Sequence, residues 1–407
     1  MMKTILGVVT AAILSTLAAG CSSSSDPGPG CQESYTVTSQ GSSGNLKNRA
    51  YVASRDSGNI TVIDLDTLEI VGSANTCSRG YHMAELSADF TKIYASSTDN
   101  GKIDVLNARS LNVTKRVSVG ADPSHLSLSR DGSLIAVVDE KDNAVSFIDP
   151  KTDVEVKRLP GFYTPHFVRF SADNRHAYVA NMGAYHITRV DLQSLAIDAE
   201  IALEGHAGPP VAAAGTEEFG FADAQIDENG VLWAAHSGTG QVLLYDTKTL
   251  TKLPEIRAGV NPWIVYAEHP FKGIEARIVP NHRDRSVSLL HQLQTVSADT
   301  IVTEEPESYG VNYTPLDPEK AFVMNRMREE IAVIDTRTKK RTATIPVGGN
   351  TETASTTADG KYVIAAVSSA NRVVVIDAVT NAVVKTFDNV GNYPWTVTIP
   401  QGQNYCH

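Results

Sequence analysis

Three histidines recur at nearly one position of a repeated segment: His82 in His82-Met-Ala-Glu-Leu-Ser87, His125 in His125-Leu-Ser-Leu-Ser129 and His166 in His166-Phe-Val-Arg-Phe-Ser171. A neutral imidazole nitrogen is a common transition-metal ligand, and Cys77 and Met83 flank His82 with sulfur donors. That combination suits copper or haem iron, with His82, His166 and Cys77 as the metal set. Arg55, Arg79, Arg326 and Arg328 fall at matching places in other units, and His with Arg suits an anion or a carboxylate-bearing cofactor. His125 is one residue out of register with the other two, so strand alternation would point it away from a site shared by His82 and His166.

The elements that must position these side chains follow from the repeat. Ser87, Ser129 and Ser171 are 42 residues apart. After each serine comes a second strand (Lys92-Ile-Tyr-Ala-Ser, Leu134-Ile-Ala-Val-Val, His176-Ala-Tyr-Val-Ala-Asn), then a polar turn and a third strand ending in Asp or Asn, such as Ile60-Thr-Val-Ile-Asp64. A fourth strand such as Val113-Thr-Lys-Arg-Val-Ser-Val completes the unit. Period-two alternation with β-branched residues and Gly/Asp/Asn turns at this spacing specifies four-stranded antiparallel blades, hence an all-β propeller. Eight second strands can be counted, which predicts eight blades; seven stays open because the unit Pro262 to Pro306 is irregular. The last strand, Tyr393-Pro-Trp-Thr-Val-Thr-Ile-Pro400, is positioned to join the first blade and close the ring. First strands line the channel of a propeller, so His82, His125 and His166 belong at its mouth. His186, His206, His236 and His282 map to loops of the same face, and Pro262-Trp263 and Pro394-Trp395 share the register of Pro165-His166. An insertion, Glu204 to Gly215, lengthens the link between units four and five.

The ends carry different information. Lys3, the apolar stretch Ile5 to Leu17 and Leu17-Ala-Ala-Gly-Cys21 resemble a bacterial lipoprotein signal, with Ala18 where Leu is more usual. Residues 1–20 are thus expected to be removed and Cys21 lipidated; an ordinary cleaved signal peptide is the alternative. The expected division is a signal at 1–20, a flexible tether at 21–48, the propeller at 49–401 and a tail at 402–407. It places the protein in the bacterial cell envelope, most simply at the outer membrane, held to the membrane by its lipid and open to an envelope protein partner. Cys31 and Cys406 flank the two ends of the ring on one face, which predicts a Cys31–Cys406 disulfide in an oxidising compartment.

Composition excludes other classes. With 42% hydrophobic and 20% charged residues, the 407-residue chain can bury a large core, and 35 Lys+Arg against 46 Asp+Glu give −11, the wrong sign for sequence-independent nucleic-acid binding. No Gly-x-Ser-x-Gly, His-Glu-x-x-His, phosphate-cradling loop or Cys-x-x-Cys-His occurs.

The units, typified by Tyr178-Val-Ala-Asn181, resemble the YVTN-type extracytoplasmic propellers. Within them Ala53 to Asp64, Tyr81 to Ser87, Gly101 to Leu106 and Gly259 to Trp263 are similar to the haem d1 domain of cytochrome-type nitrite reductases and related d1-handling proteins, also eight-bladed. That resemblance implies His82 as axial iron ligand and Arg55 as a partner of the cofactor's carboxylates; a d1-like reading of this chain then has Arg79 pairing those carboxylates as well, with His125 or His166 nearby. Ala222 and Trp263 stand where the family's catalytic members carry two distal histidines, Thr98 replaces a second cofactor-contacting Arg, and the electron-delivering c-type haem domain is missing. Nitrite reduction is therefore not expected. The expectation is a binding module holding a haem d1-like tetrapyrrole or a metal such as copper; the alternatives are a cofactor-free interaction scaffold and a copper or haem oxidoreductase.

Overall fold

A computed structural model describes residues 30–206, 219–290, 299–303 and 307–404. Its eight antiparallel sheets follow one another around a ring as the blades of a propeller. Blade two is representative, running from Tyr81–Leu86 through Lys92–Ser97 and Lys102–Asn107 to Val113–Ser118.

The repeated polar residues have a structural purpose. The Asp or Asn that ends the third strand accepts backbone N–H groups of the following turn: Asp64 from Asp66 and Thr67, Asn107 from Arg109 and Ser110, Asp246 from Lys248 and Thr249, Asp377 from Val379 and Thr380. The serine after each first strand acts likewise, with Ser87 Oγ donating to Asp89 and accepting from the Lys92 N–H. Between blades the contacts are apolar. Tyr51, Ala53 and Val62 of blade one pack on Tyr81, Leu86 and Ile93 of blade two.

The ring closes as the sequence predicts. Pro394–Thr398 pairs with Arg49–Ser54, and Val397 packs with Val52 of blade one and Ile364 and Val375 of blade eight. Among the described residues the irregular sixth unit is a blade of three strands, Arg277–Asn281, Ser286–Leu290 and Asp299–Val302. Where its first strand would run, only the isolated pairings of Pro262 with Asn281 and Tyr266 with Ile278 form; Pro262 and Pro270 have no N–H to offer a ladder.

Three expectations change at the chain ends. Part of the segment read as a tether belongs to the ring: Ser34–Val37 adds a fifth strand to the outer edge of blade one, pairing Ser34 with Asn75. A helical turn, Ser39–Ser43, follows, and the buried Arg49 guanidinium donates to the carbonyls of Gln40 and Gly41. Second, this strand decides the cysteine pairing. Cys31 lies three residues before Ser34 and Cys77 two after its partner Asn75, and the disulfide joins Cys31 to Cys77 with Cα atoms 6.0 Å apart. The predicted Cys31–Cys406 bridge is thereby replaced, because an edge strand not foreseen from sequence carries Cys31 to the end of blade one's fourth strand. Third, the tail contributes Gln403–Asn404 to the inner edge of blade eight. Cys21, Cys406, the 1–20 signal and most of the 204–215 insertion lie outside the described residues.

Candidate metal and ligand site at the channel mouth

At the opening end of the first strands the pairing slips. In blade two Tyr81 pairs with Ser97 and Ala84 with Ala95, so His82 and Met83 share the place opposite Ser96. In blade three Ser124 and His125 face Val138, and in blade four His166 is the extra residue between Pro165 and Phe167. A bulge inserts a residue and re-aims its neighbours. The one-residue offset of His125 therefore does not turn it away, and all three imidazoles enter the channel.

They meet edge to edge. His82 and His125 rings are 4.4 Å apart between centroids, with their Nε2 atoms at 3.2 Å, and His125 and His166 are 4.3 Å apart. His166 Nδ1 lies 2.8 Å from the Ala222 carbonyl oxygen. A carbonyl only accepts, so Nδ1 is the nitrogen that donates to it. Ser124 Oγ is 3.3 Å from His125 Nδ1 and donates to the carboxylate of Glu140, which stands in the turn after the second strand of blade three. Ligand atoms of His125, Glu140 and His166 all fall within 4.8 Å of one another. Burial, with the charges of Arg55, His166 and Arg326 adding to it, holds the His82 imidazole well below its ordinary pKa, in the neutral form that ligates metals.

Aromatic rings and two arginines complete the mouth. Trp395 lies 5.4 Å from His82 and Trp263 5.9 Å from His166. The Arg55 guanidinium stacks on Trp395 at 4.7 Å and that of Arg326 on Tyr309 at 3.5 Å. His282 is wedged between Trp263 and Tyr309, fully buried, and its two ring nitrogens meet no hydrogen-bond partner among the described residues. Burial, then Arg326 and Arg283, keep it neutral. Above the histidines opens a cavity of about 520 Å³, lined by Arg55, His82, Glu140, His166, Trp263 and Arg326 among others. Deeper in, Met83, Phe167 and Trp395 form a small apolar cluster. Met83 and Phe167 also line a second cavity of about 280 Å³, with Glu85 and Arg169 farther along their strands and Arg130 and Glu268 beside them.

The structure thus brings together His82, His125, His166 and Arg55. Arg79 and Arg328 are exposed on the rim and do not line the cavity; Arg326 takes the second cationic position. Cys77 is not a metal ligand, since its sulfur is bonded to Cys31. Met83 faces the apolar cluster. His206 and His236 stack on Tyr185, apart from the three-histidine group. Sequence reasoning passed over Glu140 and Ser124. The only signal for Glu140 was its place in a second-to-third-strand turn, on the face already suspected, where acidic residues are usually solvated.

The model of the YNCE-like beta-propeller family matches residues 83–202, and none of the curated proteins matches the chain in sequence. Among solved structures it is similar to the dihydro-heme d1 dehydrogenase NirN in complex with DHE, at TM-score 0.73 and 17% identity over 88% of this chain and 76% of that one. It is also similar to apo AztD from Citrobacter koseri, at TM-score 0.59 and 13% identity over 86% and 96%. A third similar structure is a protein of unknown function from Desulfotomaculum acetoxidans DSM 771, at TM-score 0.54 and 11% identity over 86% and 98%. At these identities the likeness is one of fold, that of a β-propeller.

Proposed function

We propose that this propeller is a binding module that takes a metal-containing ligand at its channel mouth through imidazole nitrogen. The observation that carries this reading is the meeting of His82, His125 and His166, from three consecutive blades, beside an open cavity that His82 and His166 line. His82, the one of the three whose imidazole burial holds in its neutral form, is thereby suited to a metal.

The site also fits a haem d1-like tetrapyrrole. Arg55 and Arg326 flank the cavity where carboxylates would need cations, Trp263 offers a flat wall, and the volume lies within the range of small-molecule sites. The fold likeness to NirN, whose structure holds DHE, supports this form. In it His82 would hold the ligand's metal, Arg55 and Arg326 would orient it, and Trp263 would exclude water from one face. In the same reading Cys21 is the lipid attachment point, so that the ring works in the cell envelope, at the membrane surface.

The test is a visible spectrum with metal analysis on protein purified from its source membrane, alongside haemin titration of the apoprotein. The expected result is a Soret-type band lost in His82→Ala, or stoichiometric metal. A colourless, metal-free protein that takes up neither haemin nor metal would overturn the reading in favour of a scaffold that docks another envelope protein.

A further inference from the structure

Resting on the reading that the mouth binds through imidazole nitrogen, we infer that His125, Glu140 and His166 form a site for a bare divalent first-row transition ion, with His82 beside its open position. Three facts converge on it. Their ligand atoms already lie within 4.8 Å of one another. Ligands about 2.0–2.2 Å from a tetrahedral ion are somewhat closer together than that, so small rotations of side chains on fixed strands would close the set. Next, His166 has the outer support of a metal-binding histidine: its Nδ1–H is held by the Ala222 carbonyl, so that Nε2 is the atom through which it would ligate an ion. Finally, Ser124 ties the remaining two donors together, since its hydroxyl donates to Glu140 and lies 3.3 Å from His125 Nδ1.

The donor types narrow the ion. Two imidazoles and one carboxylate, with no thiolate now that Cys77 is in a disulfide, suit Zn²⁺, Co²⁺ or Fe²⁺ better than Cu⁺. The carboxylate offsets one of the ion's two charges, and Asp122, which lines the same cavity and pairs with Lys141 at 3.0 Å, is the next acid. Three protein ligands leave a fourth position. The His82 Nε2, 3.2 Å from that of His125, can fill it or yield it to a ligand from the cavity.

The experiment is titration of the full chain, stripped with chelator, with Zn²⁺ by calorimetry and Co²⁺ by its visible d–d bands. One equivalent should bind. Loss of an outer support alone weakens metal sites about ten- to a hundredfold, so His166→Ala and Glu140→Gln should each weaken binding at least that much. His176→Gln, remote from the mouth, should leave it unchanged, and thermal melts check that each variant folds. Should Glu140→Gln fold poorly, Ser124→Ala provides the independent test, with an affinity loss in the tenfold range and altered Co²⁺ bands. Absence of stoichiometric Zn²⁺ and Co²⁺ binding, or binding indifferent to these substitutions, overturns the site. If haemin still gives a His82-dependent band in that case, only the bare-ion inference fails; if haemin fails as well, the binding-module reading fails with it.

Discussion

At the scale of single residues, this protein concentrates neutral imidazoles inside a ring of sheet. Burial is the first cause of the lowered pKa values of His82, His186, His236, His269 and His282, with His236 and His269 brought to about 4. The unfolded chain would protonate these groups near pH 6.5, so acid favours unfolding as pH falls below that value. Glu85 and Asp139 act in the opposite sense: burial pushes both up to about 7, so the folded state keeps protons that the unfolded chain gives up as pH rises above about 4. Five groups outweigh two. Stability should therefore rise between pH 5 and 6.5 and level off above 7. Thermal melts across that range would show it, and a midpoint flat from pH 5 to 7 would refute the neutral assignment. The His82 and Glu140 substitutions described above belong to this scale too.

At the scale of elements, one turn is used again and again. Four residues after the third-strand Asp or Asn the backbone enters the left-handed region, at Leu68, Leu111, Asp153, Leu195, Leu250, Lys339 and Asn381. Left-handed backbone costs a branched residue about 1 kcal/mol or more, while Asn tolerates it. Leu111 recovers this cost by being buried against blade one, but Leu250 is 40% exposed and recovers little. Leu250→Asn should thus stabilise the fold by about 0.5–1 kcal/mol, read as a higher denaturant midpoint at unchanged slope. A loss of stability would mean that Leu250 packs more effectively than its exposure implies. The bulges at the channel mouth are the other repeated element. They show why period-two counting misjudged His125: alternation holds only while the ladder keeps step, and here it loses step at the histidine.

The whole molecule is fastened in two ways. The strand after blade eight completes blade one, leaving no open inner edge there, and a disulfide ties the outermost strand of blade one to the rim beside the site. Peptide mapping under non-reducing conditions should recover the Cys31–Cys77 linkage. Reduction should speed amide exchange in Ser34–Val37 while leaving Pro394–Thr398 protected, because the closing strand is held by its neighbours on the ring and not by sulfur. A Cys31–Cys406 peptide, or equal loss of protection in both strands, would contradict this arrangement. The linkage also bears on anchoring, since it fixes the chain ten residues after Cys21 at the mouth face. A lipid at Cys21 would then hold that face close to the membrane, and Cys21→Ser should release the protein from the membrane fraction.

The all-β class, the propeller, its eight units, the closing strand and the suspicion that His82 and His166 share a place were all legible in the chain. Each depends on local chemistry that repeats: a turn that needs Asp, a strand that needs alternation, a 42-residue period. What the tertiary structure decided is what depends on pairing between distant segments. The extra edge strand set the disulfide, and the slipped ladders turned His125 inward. Glu140 joined the histidines only because a turn of blade three lies over the start of its neighbour's first strand. Periodicity fixes which residues face a channel, but a one-residue slip or a strand from elsewhere costs so little locally that only the packed ring selects it.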